Sequence, residues 1–216
     1  MSSKIKTKRE RVKFASDNVA GACPEVLDAI IKANEGDSTP YGNDEWSTNL
    51  QNKFSEIFEK EVIVYPMASG TAANALALSA MTPVFGSIYC HKHSHINTDE
   101  CGAPEFYTGG AKLVPISGIN GKFTPEELSK NIGGVGIVHH TQPSVVSITQ
   151  LCETGEAYQL DEIAAISETA HKHNLKMHMD GARFANALVS LNATPAEMTW
   201  KSGIDVLSFG ATKNGC

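Results

Sequence analysis

Apolar residues along this chain recur in two rhythms, and the rhythm changes near residue 60. Before that point they repeat at helical spacing. Pro24 opens one such pattern, with Val26, Leu27, Ile30 and Ile31 on one face, and Gly36 closes it. A polar loop from Asp37 to Asn43 leads to a second pattern of Trp46, Leu50, Phe54, Ile57 and Phe58, most of whose aromatics read as core. Beyond it, short β-rich runs alternate with helical stretches. The runs are Val62–Tyr65, Ser87–Cys90, Ala111–Ile116, Val135–Val138, Leu175–Met179 and a last one that starts after Asp205. Between them lie an alanine-rich helix from Ala72 to Met81, a helix or turn start at Asn97–Gly102, and a short capped helix at Thr124–Leu128. A strong amphipathic helix follows from Leu160 to Asn174, with Ile163, Ala164, Ile166 and Ala170 recurring. This alternation predicts an α/β fold of three layers, a mainly parallel sheet with helices on both faces.

Composition narrows the function without changing that picture. The chain has 216 residues, enough to bury a sizeable core, with 41% hydrophobic and 19% charged residues. A net charge of −6 gives no argument for nucleic acid or an anionic membrane surface, and no apolar stretch reaches the length of a span. The basic run from Lys4 to Lys13 is followed by no apolar segment, so it reads as a solvated tail rather than a signal peptide. Five scattered cysteines without a C-x-x-C pair point to reduced thiols and a cytoplasmic setting.

Candidate chemistry collects where strands end. Ligands of open parallel sheets sit beyond the carboxyl ends of the strands. Ser69-Gly70-Thr71, His91 to His95, His139 to Gln142, Asp180 to Arg183 and Lys213 all read as lying at such ends. Each has a plainer reading as well: a helix cap for Ser69, a surface ion pair for Asp180 and Arg183, a solvated lysine for Lys213. Alternating His91, His93 and His95 invite a metal reading. A metal hydrolase using His91, His93, His139, His140 or His178 is therefore a rival class, although the spacing forms no convincing ligand set and no metal is expected. Taken together, the strand-end groups suit one ligand. A helix N-terminus at Ser69, Gly70 and Thr71 would take a phosphate, Asp180 a cationic ring nitrogen, an imidazole a ring face, and Lys213 an aldehyde. Pyridoxal 5'-phosphate (PLP) has these four features.

The residues also resemble a known family. Ser16-Asp17-Asn18, Tyr41-Gly42, Ser69-Gly70-Thr71, the stretch His95–Ala103, Ser147-Ile-Thr-Gln150, Asp180-Gly-Ala-Arg183 and Lys213 look like low-specificity L-threonine aldolase. That family sits within the beta-eliminating lyase/threonine aldolase group of fold-type I PLP enzymes, whose large domain is aspartate-aminotransferase-like. The resemblance implies Lys213 as the Schiff-base lysine and Asp180 as the partner of the pyridine nitrogen. It implies Ser69, Gly70 and Thr71 as the phosphate cup, and His95 as the histidine over the ring and handler of the substrate hydroxyl proton. Arg183 would contact cofactor or substrate carboxylate, Ser16 the substrate carboxylate, and Tyr41 the site across a homodimer or homotetramer. The implied reaction is PLP-dependent retro-aldol cleavage of L-threonine and L-allo-threonine, β-hydroxy amino acids, to glycine and an aldehyde. Another PLP-dependent β-eliminating lyase, or an inactive truncated remnant, is the alternative. Some relatives carry a histidine where Gln142 would be placed. The division expected is a basic tail at 1–15, a helical segment at 16–60 and a PLP-binding large domain at 61–216. That domain is expected to be truncated just after Lys213, with a C-terminal small domain missing.

Overall fold

A computed structural model describes residues 15–216; the basic run from Lys4 to Lys13 lies outside the described residues. The first half carries helices α1 (Pro24–Ala33), α2 (Glu45–Ile57) and α3 (Gly70–Met81). Pro24 opens α1 at the helix start, and the Asp44 carboxylate caps α2 by accepting from Ser47 N at 2.8 Å. The sheet region then runs β1 (Gly86–His91), α4 (His95–Thr98), α5 (Ala103–Tyr107), β2 (Lys112–Ile116) and α6 (Pro125–Asn131). It continues as β3 (Gln142–Thr149), α7 (Leu160–Lys172), β4 (Lys176–Gly181), α8 (Phe184–Leu191), α9 (Pro195–Met198) and β5 (Val206–Phe209). Reciprocal capping boxes start α6 at Thr124 and Glu127, α7 at Gln159 and Glu162, and α9 at Thr194 and Glu197.

The five strands form one sheet in the order β2-β1-β3-β4-β5, every neighbouring pair parallel. Two cores flank it. Ile163, Ile166 and Ala170 of α7 pack with Tyr89, Val146, Ile148, Met177 and Met179 on one face. Leu78 of α3 packs with Ile88, Cys90 and Val145 on the other. Successive residues of one strand therefore serve opposite cores, as the period-two pleat requires. The expected three-layer α/β arrangement is what the chain adopts. Because the strands are parallel, all their carboxyl ends lie along one edge, and strand order reverses between β1 and β3, the kind of switch point at which open α/β sheets bind ligands.

Two apolar runs do not become strands. Val62–Tyr65 is extended but has no partner strand among the described residues; the side chain of Gln51 takes its place, bonding Val64 N at 3.0 Å and Val64 O at 2.6 Å. Val135–Val138 was the expected buried strand before His139, and it is instead a surface turn in which Val138 is 92% exposed. Gly134 and Gly136 adopt positive φ there, and the Gln142 amide donates to Gly134, Ile137 and His140 carbonyls. The strand begins only at Gln142. His139, His140 and Gln142 consequently sit at the amino end of β3, the edge opposite the one that gathers candidate chemistry.

Candidate active site

On the sheet face that α3 covers, one side chain joins three segments distant in sequence. Asn74, in the second turn of α3, is buried and donates both hydrogens of its amide. One goes to Asp180 Oδ2 at 2.9 Å, the other to Glu100 Oε1 at 2.8 Å. Glu100 Oε1 also lies 2.9 Å from His95 Nδ1. Asp180, next to last in β4 and 4% exposed, accepts from Ala182 N at 3.0 Å through its other oxygen. The result is a line of four side chains, His95, Glu100, Asn74 and Asp180, running from a one-turn helix after β1 to the end of β4. Burial raises the Glu100 carboxyl above its ordinary value, and the Asp180 charge adds to the rise while the bonds from Asn74 and His95 oppose it.

Beneath Asp180, two residues earlier on the same face, His178 is wholly buried. Its Nδ1 meets Ser147 Oγ and its Nε2 meets Ser208 Oγ, both at 2.9 Å, so a polar cross-tie spans β3, β4 and β5. Burial pushes the imidazole down to about 4, which keeps it neutral.

A second cluster surrounds the carboxyl ends of β4 and β5. Arg183 donates through Nε to Asp17 Oδ2 at 2.7 Å and through Nη2 to Asp17 Oδ1 at 3.3 Å; its Nη1 is 3.8 Å from Glu153 Oε2. The hydrogen bond from Arg183 holds the Asp17 carboxyl below its usual range, with Lys213 adding a smaller electrostatic pull. Ser16 starts the turn that presents Asp17, its Oγ accepting from Asn18 N at 3.2 Å. Lys213 lies in a 3-10 turn, Thr212–Asn214, that packs against this Ser16–Val19 turn. Cys23 N donates to Gly215 O at 2.9 Å, and Asn214 donates to the Gly210 carbonyl, so the lysine-bearing turn is tied at both ends. Lys213 also borders a shallow depression of about 330 Å³ with Asn186 and Val189 of α8. Gly210 brings this turn against the Asp180–Arg183 turn: a Cβ there would lie 2.8 Å from Ala182 Cα and 2.8 Å from its carbonyl oxygen.

At the start of α3, Ser69 is the helix cap, its Oγ accepting from Ala72 N at 3.2 Å. The first turn holds no acidic residue, and a Cβ built on Gly70 meets nothing within 4 Å. Gly70 is exposed, and its N–H and that of Thr71 are helix-start donors without an acceptor inside the helix, the arrangement that receives an anion. The plain cap reading of Ser69 holds, and its hydroxyl hydrogen is left to donate.

Of the residues singled out from the sequence, Ser16, Ser69, Gly70, Thr71, His95, Asp180, Arg183 and Lys213 all lie at the carboxyl edge of the sheet or on α3 above it. Tyr41, expected to reach the site of a second copy, is 97% exposed in a turn with φ of 65°. His91 is buried, its Nδ1 accepting from His93 N at 3.2 Å. Among the described residues no three His, Cys, Asp or Glu side chains gather as a metal site. Gln150 is a scaffold residue that exchanges two 2.9 Å bonds with the Tyr158 backbone. The sequence reading gave no role to Asn74, Glu100, Asp17 or Glu153. Glu100 lay inside the His95–Ala103 stretch and Asp17 beside Ser16, so both were in view; Asn74 was legible only as a polar residue among alanines.

A family model described as beta-eliminating lyase matches residues 13–216. The chain belongs to the beta-eliminating lyase family. Among its lyase-family relatives, a low specificity L-threonine aldolase of Pseudomonas sp. (strain NCIMB 10558) is 47% identical over 202 residues, covering 94% of this chain and 58% of that protein. A solved threonine aldolase of Leishmania major superposes with a TM-score of 0.86 at 28% identity, over 94% of this chain and 59% of that one. Aspartate aminotransferase of Thermus thermophilus, at 15% identity over 72% of this chain and 40% of its own, shares the fold with a TM-score of 0.52. The chain thus spans less than two thirds of the length of the aldolases it matches.

Proposed function

We propose that this chain carries the cofactor-binding part of a PLP-dependent aldolase that cleaves L-threonine and L-allo-threonine, and related β-hydroxy amino acids, to glycine and an aldehyde. The observation that carries it is a buried carboxylate near the end of β4, hydrogen-bonded to α3, whose N-terminus is free of acidic residues, and a lysine in the turn that follows the neighbouring parallel strand β5. The donor set fits PLP group by group. Asp180 has lone pairs left after its two hydrogen bonds and would hold a protonated ring nitrogen. Gly70 and Thr71 N–H and the Ser69 hydroxyl would hold the phosphate, and Lys213 would bond the aldehyde carbon. When bound, the cofactor supplies an electron sink for the pair released as the Cα–Cβ bond breaks.

The remaining work falls to the chain itself. His95 would cover the ring and accept the β-hydroxyl proton, leaving the product aldehyde to depart. Arg183 with Ser16 would take the substrate carboxylate and so set which Cα bond stands perpendicular to the ring. To do so the guanidinium exchanges the Asp17 carboxylate for that of the substrate, a swap of like for like. Residues 61–216 form the cofactor-binding unit in this reading, and 16–60 the segment before it. A homodimer or homotetramer belongs to the same proposal, supported by the exposed apolar face of α1 at Leu27, Ile30 and Ile31. Five free thiols support a cytoplasmic setting.

Reconstitution tests it directly. The purified chain mixed with PLP gains a visible absorption band that borohydride bleaches, and peptide mapping finds the reduced label on Lys213. A label on any other lysine, or no band at saturating PLP, overturns the assignment. Glycine release from L-threonine then tests the reaction.

A further inference from the structure

The His95–Glu100–Asn74–Asp180 line holds a carboxylate for which the proposed chemistry has no use. Glu100 is 4% exposed, and its Oε2 has no partner among the described residues, nor has Asn74 Oδ1. Burying a carboxyl in this state costs stability, so its retention asks for another account.

The hydrogen bonds supply one. The Asn74 amide nitrogen faces two carboxyl oxygens, Glu100 Oε1 and Asp180 Oδ2, so both of its hydrogens are committed and Glu100 Oε1 is an acceptor. The contact to His95 Nδ1 falls on the same oxygen. If Glu100 carries a proton, the partnerless Oε2 holds it, and Oε1 remains the acceptor. In both protonation states the hydrogen in the His95 contact then belongs to the ring nitrogen. Nδ1 is the N–H side and Nε2 keeps its lone pair. Nε2 makes no hydrogen bond among the described residues, and the side chain is about one-third exposed, so the lone pair is accessible from the open edge of the sheet.

We propose that Glu100 is a positioning residue that fixes His95 in its Nδ1–H tautomer, leaving Nε2 as the proton acceptor of the site, with Asn74 tying that orientation to Asp180. The role assigned to Nε2 rests on the aldolase reading above; the tautomer assignment does not. The groups facing Glu100 are His95 from α4, Asn74 from α3 and Asp180 from β4, so one amide holds the ring-covering histidine and the ring-nitrogen partner in one register. A wrong tautomer would turn an N–H toward the substrate hydroxyl and remove the base without moving the ring.

Nitrogen-15 spectra of the full 216-residue chain, labelled at histidine, read the tautomer without cofactor or turnover. Wild type is expected to show Nδ1 as the protonated nitrogen of His95 and Nε2 as the lone-pair nitrogen, assigned by the loss of signals in His95→Gln. Glu100→Gln keeps an acceptor oxygen and is expected to keep the pattern. Glu100→Leu removes the acceptor and is expected to shift the ring toward Nε2–H; Glu100→Met gives the same comparison if the leucine variant does not fold. An Nε2–H ring in wild type, or an unchanged Nδ1–H ring in a folded variant lacking the acceptor, overturns the proposal. With PLP and L-threonine, the apolar variants are expected to lose about 10²-fold in kcat with little change in KM, and Glu100→Gln to stay near wild type. Absence of glycine formation from wild type would count against the aldolase reading and leave the tautomer measurement to decide the role of Glu100.

Discussion

His178 shows how much one buried side chain decides. Both ring nitrogens are committed to serine hydroxyls on the flanking strands, and no water reaches it. Protonation would leave one hydroxyl facing a new N–H and place a charge in the sheet interior, which is why its pKa falls from 6.5 to about 4. The sign of the consequence follows. Between about pH 6.5 and about pH 4 the unfolded chain binds the proton that the folded chain refuses, so stability present above that window is lost as pH falls through it. Each unit of difference corresponds to about 1.4 kcal/mol, so the loss is on the order of a few kcal/mol. His178→Gln is expected to lower stability near neutral pH by about 1–3 kcal/mol, because two buried hydroxyls lose good partners. It is also expected to flatten the pH dependence across that window. Urea midpoints of both proteins over the range measure this; parallel curves would show that His178 is not the group responsible. The same residue marks a limit of the sequence. His178 read as one histidine among eight and as a conceivable metal ligand, because only the pairing of strands brings Ser147 opposite it on β3 and Ser208, two residues past its partner on β5, within reach of the ring.

At the scale of elements, what the sequence revealed followed from whether the signal was local. Helices with their own start signals and apolar stripes, a proline for α1 and polar caps for α2, α6 and α7, formed where the spacing put them. Strands depend on a partner, and there the reading slipped. Val62–Tyr65 has the composition of a strand and no neighbour among the described residues, and Val135–Val138 is broken by glycines whose positive φ no ladder accepts. The true β3, Gln142–Thr149, opens with Gln, Pro and Ser, which look like loop. The candidate site was legible for the converse reason. Its groups sit just past strand ends, and one misplaced strand moved only His139, His140 and Gln142 off the edge. Gly210 was seen only as part of the last stretch, yet it sets the approach of two site-bearing turns. Its hydrogen faces the Ala182 backbone, where an added methyl would sit at 2.8 Å from two backbone atoms that cannot rotate away. Gly210→Ala is therefore expected to destabilise by about 1–3 kcal/mol and to displace the Lys213 turn from Asp180. Borohydride labelling at Lys213 under subsaturating PLP is expected to fall several-fold more than in Gly133→Ala, whose added methyl meets nothing within 4 Å. Equal labelling in the two variants would remove Gly210 from the account.

For the molecule as a whole, the notable feature is how widely the site's residues are drawn from the chain. Ser16 and Asp17 precede the first helix, Ser69 to Asn74 open α3, His95 and Glu100 follow β1, Asp180 and Arg183 end β4, and Lys213 follows β5. Few of these groups touch one another directly; Asn74 and Arg183 supply most of the links. A ligand that bonds Lys213, Asp180 and the α3 N-terminus at once would therefore cross-link segments that the protein alone joins sparingly. Binding to the folded state alone adds stability as RT ln(1 + [L]/Kd), about 2.7 kcal/mol at a ligand concentration one hundred times Kd. For a domain of this size each kcal/mol moves the midpoint by about 2–4 °C, so PLP at that excess is expected to raise Tm by roughly 5–10 °C. Asp180→Ala and Lys213→Ala are each expected to lose most of that shift, because each removes one of the proposed anchors. Tyr41→Ala, on an exposed turn that makes no side-chain hydrogen bond among the described residues, is expected to keep it in a single chain. Differential scanning fluorimetry with and without PLP gives all four values, and pyridoxal without the phosphate separates the anchors further. If the helix end at Ser69, Gly70 and Thr71 holds the phosphate, pyridoxal yields a much smaller shift in wild type. If it yields the same shift, the phosphate adds nothing to binding and the α3 N-terminus is not its site.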